Sequence, residues 1–230
     1  SALEHACLCI ENGAQLIDLG AQSTRPCAAE VGKDVEIKRL IPVIKELKII
    51  HPEIPISIDT FHHSVAHTAL NAGADLINDI SGGRHDPEIF NVIADYGCPY
   101  VLTHSRGNSK TMDSLTNYQN IVIDVKNELS KQIDLAISSG IKNKQIIIDP
   151  GIGFAKTVDQ NLILLRNLEQ FVLMQYPVLV GASRKRFIGS VINESDPNMR
   201  IFGTAAVASR CVIAGVDFLR VHDIKEIFQV

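Results

Sequence analysis

The sequence predicts an α/β chain folded as a TIM-type (β/α)8 barrel, and three observations lead there. Short apolar, β-branched runs alternate with stretches of helical spacing, the pattern of a parallel sheet covered by helices. Nearly every apolar run ends in polar residues: Asp18, Asp59, Asn78 with Asp79, His104, Asp149, Ser183 with Arg184 and Lys185, and His222 with Asp223. A barrel assembles its site from the C-terminal ends of many strands, whereas an open doubly wound sheet gathers its ligand chemistry at one switch point. No linker, low-complexity tract or charge run divides the chain, so a single barrel domain over 1–230 is expected.

The elements follow in order. A helix over 2–11 opens the chain, and Asn12-Gly13-Ala14 closes it. The first strand is Leu16 to Gly20, and Val35, Leu40, Ile44 and Leu47 mark the inner stripe of the next helix. Ile54 to Ile58 is the second strand; its helix carries Val65, Ala66, Ala69 and Leu70 and ends at Asn71-Ala72-Gly73-Ala74. Leu76 to Asp79 and Tyr100 to Thr103 are the third and fourth strands. Val122, Val125, Leu129, Ile133 and Ala136 mark a long helix that Ser139-Gly140 ends before the strand Gln145 to Asp149. Leu162, Leu165 and Leu168 precede the strand Val178 to Gly181. Ala205 to Ile213 is helical, Ala214-Gly215 ends it, and Phe218 to Val221 is the last strand. Glycines in these closing phrases suit the left-handed residue that terminates a helix. Seven strands are predicted where a closed barrel has eight. A first strand and most of a last helix are therefore expected to lie outside these residues.

Composition narrows the function. Hydrophobic residues make up 46% and charged residues 21%, as in a globular protein. With 22 Lys+Arg against 26 Asp+Glu the net charge is −4, which argues against a nucleic-acid partner. No apolar stretch of about 18 residues exists, so no membrane span is expected. The cysteines Cys7, Cys9, Cys27, Cys98 and Cys211 are odd in number and include no C-x-x-C pair. They read as reduced, mostly buried thiols of a cytosol-like compartment. No basic leader precedes an apolar run in residues 1–13, so a cytoplasmic location is expected.

Five constellations carry candidate chemistry. Ser23-Thr24-Arg25-Pro26 offers hydroxyls and a guanidinium after the first strand, a fit for phosphate or carboxylate or else a surface turn. Asp59, Asn78 and Asp149 stand at strand ends, where they either cap the following helices or grip a flat heterocycle with an amino-pyrimidinone edge. Ile80 and Phe154 are their apolar neighbours. Asp149-Pro150-Gly151-Ile152-Gly153-Phe154 lets the backbone turn tightly, but it is neither a Walker loop nor the dinucleotide fingerprint. Ser183-Arg184-Lys185-Arg186 places three cations at a strand end, which must face anions or diverge. Arg220 and His222 alternate onto one side of the last strand, a plausible pyrophosphate site. His62, His63 and His67 read as a solvated helix face, although His63 and His67 have the i, i+4 spacing of a metal pair.

Taken in order, these motifs resemble the dihydropteroate synthases, the pterin-binding barrel enzymes of folate synthesis. The resemblance runs from Asp18-Leu19-Gly20 and Ser23-Thr24-Arg25-Pro26 through Ser57-Ile58-Asp59-Thr60 and Asn78-Asp79-Ile80-Ser81-Gly82-Gly83. It continues through His104-Ser105-Arg106-Gly107, Asp149 to Phe154 and Ser183-Arg184-Lys185 to Arg220-Val221-His222-Asp223. It implies condensation of 6-hydroxymethyl-7,8-dihydropterin pyrophosphate with 4-aminobenzoate to give 7,8-dihydropteroate and pyrophosphate. By the same resemblance Asp59, Asn78, Ile80, Asp149, Phe154, Gly181 and Lys185 would bind the pterin. Arg25, Arg220 and His222 would hold the pyrophosphate, and Thr24, Pro26, Phe154 and Ser183 would border the aminobenzoate. Lys185, Asp149 and Arg220 would carry catalysis.

Mg2+ would accompany the pyrophosphate, its usual protein ligand lying on a first loop outside these residues. The chain itself, lacking that loop, is expected to be a weak catalyst. Sulfonamides would compete with the aminobenzoate. A homodimer, and fusion to a pterin pyrophosphokinase, are further implications. Arg186 and Gln22 look plant- or fungal-like, which would make the location mitochondrial in a plant. Thr103-His104-Ser105 departs from the family's Met-His-Met and removes apolar packing under the pterin. The alternatives are a pterin-dependent methyltransferase of the same fold and a non-catalytic pterin-binding domain.

Overall fold

The computed structural model describes residues 1–22 and 31–230. The elements run α1 (Ala2–Glu11), β1 (Ile17–Gly20), α2 (Lys33–Ile50), β2 (Ile56–Asp59), α3 (His63–Asn71), β3 (Leu76–Asp79), α4 (Ile89–Tyr96) and β4 (Tyr100–Thr103). They continue as α5 (Ile121–Ser138), β5 (Ile146–Asp149), α6 (Val158–Arg166), α7 (Glu169–Val172), β6 (Leu179–Val180), α8 (Arg186–Ile192), α9 (Ile201–Ala214), β7 (Phe218–Leu219) and α10 (Ile224–Ile227). Strands β1 to β5 pair in parallel in chain order, β6 pairs in parallel with β7, and a bridge between Ile148 and Val178 joins the two sets. The wall thus carries the seven parallel strands expected, with β1 and β7 at its edges among the described residues.

Alternation along each strand sorts the side chains. Ile56, Ile58, Ile77, Tyr100, Leu102, Ile146 and Ile148 face the helices and join one large buried cluster. Leu76, Val101 and Ile147 point the other way and, with Leu16 and Leu179 against them, form an apolar floor inside the wall. Above that floor the same faces turn polar. Asp59 lies in register with Gly20 on one side and Asn78 on the other, and Thr103 is paired with Asp149. The pleat therefore collects the strand-end residues at one mouth.

Helix ends follow the expected chemistry. Ser1 and Thr157 each form a capping box at the start of α1 and α6. Gly13, Gly73, Gly140 and Gly215 all have positive φ just after their helices, as the closing phrases predicted. Two expectations change. Val35 is 40% exposed, and Glu36 takes the buried place in α2, because Thr60 Oγ1 donates to its carboxylate at 3.2 Å. The last two strands shrink to two residues each, since they pair mainly with one another. Cys98 and Cys211 are buried, Cys7 and Cys9 are partly exposed, and all four are free thiols. Cys27 lies outside the described residues. No helix among the described residues is long and apolar enough to cross a membrane.

Candidate active site

The polar mouth is a connected network. Asn78 Nδ2 donates to Asp18 Oδ2 at 3.1 Å. Arg220 Nη1, coming from just beyond β7, donates to the same oxygen at 2.9 Å and to Asp59 Oδ2 at 3.1 Å. One guanidinium nitrogen so ties together the ends of β1 and β2. Among the described residues no hydrogen bond engages Arg220 Nε or Nη2. Gly181 makes room for this side chain, for a Cβ there would sit 3.1 Å from Arg220 Nε. Burial raises the Asp59 carboxyl, with Arg220 pulling it down and Asp18 adding to the rise. Burial likewise raises Asp149 against the pull of Lys185. The helix-capping reading of the strand-end residues fails: α3, α4 and α6 start from His62, Glu88 and Thr157.

The segment after β5 forms the second half of the mouth. Gly151 N–H donates to Asp149 Oδ1 at 2.7 Å, which folds the loop back on its own carboxylate. Gly151 has φ +70°, and a Cβ on it would stand 1.8 Å from the His104 carbonyl oxygen, so only glycine fits. Gly153, at φ +87°, leaves space for the Lys185 stem, whose Cδ would lie 2.7 Å from a Cβ there. Its N–H donates to Asn161 Oδ1 at 2.6 Å. Phe154 packs with Met112 and Ala155, and Ile80 lies against them, so the two predicted apolar walls meet. Lys185 Nζ stands 4.2 Å from the Phe154 ring centroid and donates to the Ile152 carbonyl. Burial pushes this lysine down to about 7, Arg220 in the same direction, while Asp149 and Asp59 oppose the fall.

The three consecutive cations diverge. Arg184 pairs with Asp223, Arg186 reaches Asp113 at 2.8 Å, and only Lys185 enters the mouth. Arg184 sits at φ +59°, the backbone turn that separates them. Ser183 Oγ meets the His222 backbone N–H at 3.2 Å and its ring Nδ1 at 3.0 Å, which brings these two predicted residues together. Thr24, Arg25 and Pro26 lie outside the described residues.

The histidines on α3 are less bare than expected. His63 Nδ1 lies 2.7 Å from Asp86 Oδ2 and its Nε2 lies 3.4 Å from Glu88 Oε2. Asp86 Oδ2 also accepts the His63 backbone N–H at 2.9 Å, so it completes the first turn of α3. His67 stacks edge-on to Tyr96, centroids 5.7 Å apart.

Sequence reasoning gave no role to Asp18, Lys156 or Glu128. Asp18 was visible as a polar strand end, but its bond to Arg220 spans nearly the whole chain. Lys156 Nζ contacts two backbone carbonyls and His104 Nδ1, acceptors that leave no spacing signal.

Comparison with known proteins agrees with this geometry. The family model for the pterin binding enzyme matches residues 1–222. The dihydropteroate synthase of Synechocystis is 45% identical over all of this chain, which spans 79% of its length. The folic acid synthesis protein of Pneumocystis carinii is 44% identical over 96% of this chain, which spans 30% of that longer protein. The dihydropteroate synthase of Clostridium difficile, solved in the presence of pteroic acid, superposes with a TM-score of 0.93 at 39% identity, covering 99% of this chain and 84% of that one. A wall of parallel strands with this polar mouth, matched along its length by such relatives, has one family home: the chain belongs to the pterin-binding enzymes, among the dihydropteroate synthases.

Proposed function

We propose that residues 1–230 are one barrel domain that condenses 6-hydroxymethyl-7,8-dihydropterin pyrophosphate with 4-aminobenzoate, giving 7,8-dihydropteroate and pyrophosphate in folate biosynthesis. The observation that carries this reading is the meeting of Asn78, Asp59, Asp149, Lys185 and Arg220 at one mouth, above an apolar floor. Asp149, Asp59 and Asn78 face the N–H and carbonyl edge of the pterin, while Ile80 and Phe154 supply apolar walls for its ring and Gly181 leaves it space. Lys185 exchanges the Ile152 carbonyl for a pterin acceptor. Arg220 stays anchored on Asp18 and Asp59 through Nη1 and turns Nε and Nη2 toward the pyrophosphate, with His222 and Arg25 beside it. Thr24, Pro26, Phe154 and Ser183 border the aminobenzoate.

The chemistry is a substitution at the pterin methylene. The C–O bond to the diphosphate breaks, and its electron pair leaves with the diphosphate. The amine nitrogen forms the new C–N bond and gives its proton to solvent or to the released anion. Fixed carboxylates near the pterin and fixed cations near the diphosphate stabilise that separation of charge. Lys185 and Asp149 act on the pterin and Arg220 on the leaving group. No covalent enzyme intermediate is required.

Mg2+ belongs here as the companion of the diphosphate. The described groups on the diphosphate side, the Arg220 guanidinium and the His222 imidazole, offer no oxygen ligand of the kind Mg2+ takes, so no step is routed through a metal. The His63, Asp86 and Glu88 group, whose ligand atoms lie within 4.8 Å of one another, serves the start of α3 instead. Helix α9 exposes Phe202 at 86% and Ile213 at 78%, which supports a homodimer through that face. The span of 30% of the Pneumocystis relative supports fusion to further folate enzymes such as a pterin pyrophosphokinase. We place the protein in the cytoplasm, or in mitochondria if the source is a plant.

Turnover decides among the readings. The protein supplied with pterin pyrophosphate and 4-aminobenzoate should release pyrophosphate and dihydropteroate, and sulfonamides should raise the KM for 4-aminobenzoate. Pterin binding without product would favour the non-catalytic domain. Methyl transfer would favour the methyltransferase, which the diphosphate-facing nitrogens of Arg220 argue against.

A further inference from the structure

Lys156 lies behind the loop after β5, not in the mouth. Its Nζ donates to the Gly151 and Phe154 carbonyls, both at 2.9 Å, and meets His104 Nδ1 at 3.0 Å. An ammonium has three protons, and three acceptors take them all. His104 is wholly buried, and its Nε2 is 3.0 Å from Glu128 Oε2. Burial alone would raise Glu128, but hydrogen bonds from His104 and Arg106 hold it well below the usual carboxylate range. An ionised carboxylate only accepts, so His104 Nε2 carries the ring proton and Nδ1 turns its lone pair to Lys156. Arg106 closes the far end: its Nε reaches both Glu128 oxygens at 3.1 and 3.2 Å, and its Nη1 donates to Asn117 O at 2.7 Å. Donors and acceptors alternate without a gap from Lys156 to Arg106.

The held loop has little structure of its own. Gly151, Gly153 and Ala155 have φ of 70°, 87° and 49°, a backbone that builds no ladder. Lys156 fixes the carbonyls of Gly151 and Phe154 from behind, while Lys185 takes the carbonyl of Ile152 from the mouth side. Those carbonyls bracket the turn between Asp149 and Phe154.

We propose that Lys156 is a positioning residue for pterin recognition, acting through Gly151 and Phe154, oriented by the His104–Glu128 pair, and touching neither substrate. This rests on the reading of Asp149 and Phe154 as pterin contacts. Steady-state kinetics on the full chain test it. Lys156→Met should raise the KM for pterin pyrophosphate about tenfold or more. The KM for 4-aminobenzoate should rise no more than about threefold, since Phe154 alone of the displaced groups borders it, and kcat should fall by less than that. Glu128→Gln should shift the pterin KM in the same direction by less. The double variant should be no worse than Lys156→Met alone, because both act through one chain of hydrogen bonds. An unchanged pterin KM in Lys156→Met, an equal rise for both substrates, or additive effects in the double variant would overturn the proposal. If Lys156→Met fails to fold, Glu128→Gln carries the same test: a selective rise in pterin KM supports the proposal and an unchanged one overturns it. Asp149→Asn run alongside separates the two levels: if it leaves the pterin KM unchanged, the pterin reading itself fails.

Discussion

Two lysines meet the same loop from opposite sides, and the contrast between them explains how this mouth is built. Lys185 reaches in from the start of α8, rests over the Phe154 ring and, among the described residues, donates to a single carbonyl, that of Ile152. Lys156 sits on the outer side and gives all three protons to protein acceptors. Both are half-buried, and loss of solvent around the ammonium lowers both, to about 7 for Lys185. The difference is in what remains to be satisfied. Among the described residues Lys185 has protons left for a ligand and Lys156 has none. A cation that is fully matched holds structure; a cation that is half matched binds what arrives. The same division separates Arg220, whose Nη1 alone is engaged among the described residues, from Arg184, which is bound to Asp223 and Asn198.

The contrast can be broken at the loop itself. Gly151→Ala would drive a Cβ to within 1.8 Å of the His104 carbonyl at a left-handed φ, so both lysines would lose their acceptors. The expected cost is more than ~3 kcal/mol of stability, read as a lower midpoint in denaturant. A midpoint equal to the wild type would show that the loop does not pass over His104 as described.

Removing the half-matched cation should leave the fold intact and the chemistry damaged. Lys185→Ala is expected to lower kcat by about 100-fold or more with little change in melting temperature, since a preorganised charge near the reacting group contributes on that scale. Turnover close to wild type would remove Lys185 from the mechanism. Lys156→Met should show the reverse balance, a KM effect with kcat nearly kept.

Acid should sharpen the same division. Burial, with Lys156 beside it, pushes His104 down to about 3. In the unfolded chain a histidine takes up its proton near pH 6.5. The native state refuses that proton, so stability falls as pH drops from 6.5 toward 3, by at most ~1.4 kcal/mol per pH unit from this group. Glu128, held low in the folded state, adds a loss as pH falls below the ordinary glutamate range. NMR of the imidazole should show His104 neutral, protonated on Nε2, and without titration between pH 4 and 8. A titration near pH 6.5 would mean that the Lys156 to Glu128 chain is not closed.

Much of this was legible in the sequence because strand ends advertise themselves. Asp59, Asn78, Asp149 and Arg220 each follow an apolar run, and the parallel pleat aims all four at one end. Ile80 and Phe154 could be paired for the same reason. The glycines after helices announced their left-handed turns. What stayed hidden depends on partners far apart in the chain. Val35 was placed on the inner stripe of α2, but Glu36 takes that buried place with Thr60 as donor, a partner 24 residues away. Lys156 carried no signal in the sequence, because two of its acceptors are backbone carbonyls and the third, His104, lies 52 residues away. Arg184, Lys185 and Arg186 could be recognised as a set that must face anions or diverge, but not which one would enter the mouth. The separation turns on Asp223 and Asp113, whose positions only the fold provides.

The central claim is that this mouth binds a pterin through Asp149, and paired calorimetric titrations of Asp149→Asn with the pterin pyrophosphate and with 4-aminobenzoate test it most directly. An amide turns a donor toward ring N–H groups that need an acceptor, and buried mispairing of this kind costs about 1–3 kcal/mol. The predicted result is a pterin affinity weaker by about 5- to 150-fold, with the 4-aminobenzoate affinity unchanged. Pterin binding as tight as in the wild type, or an equal loss for both ligands, would contradict it.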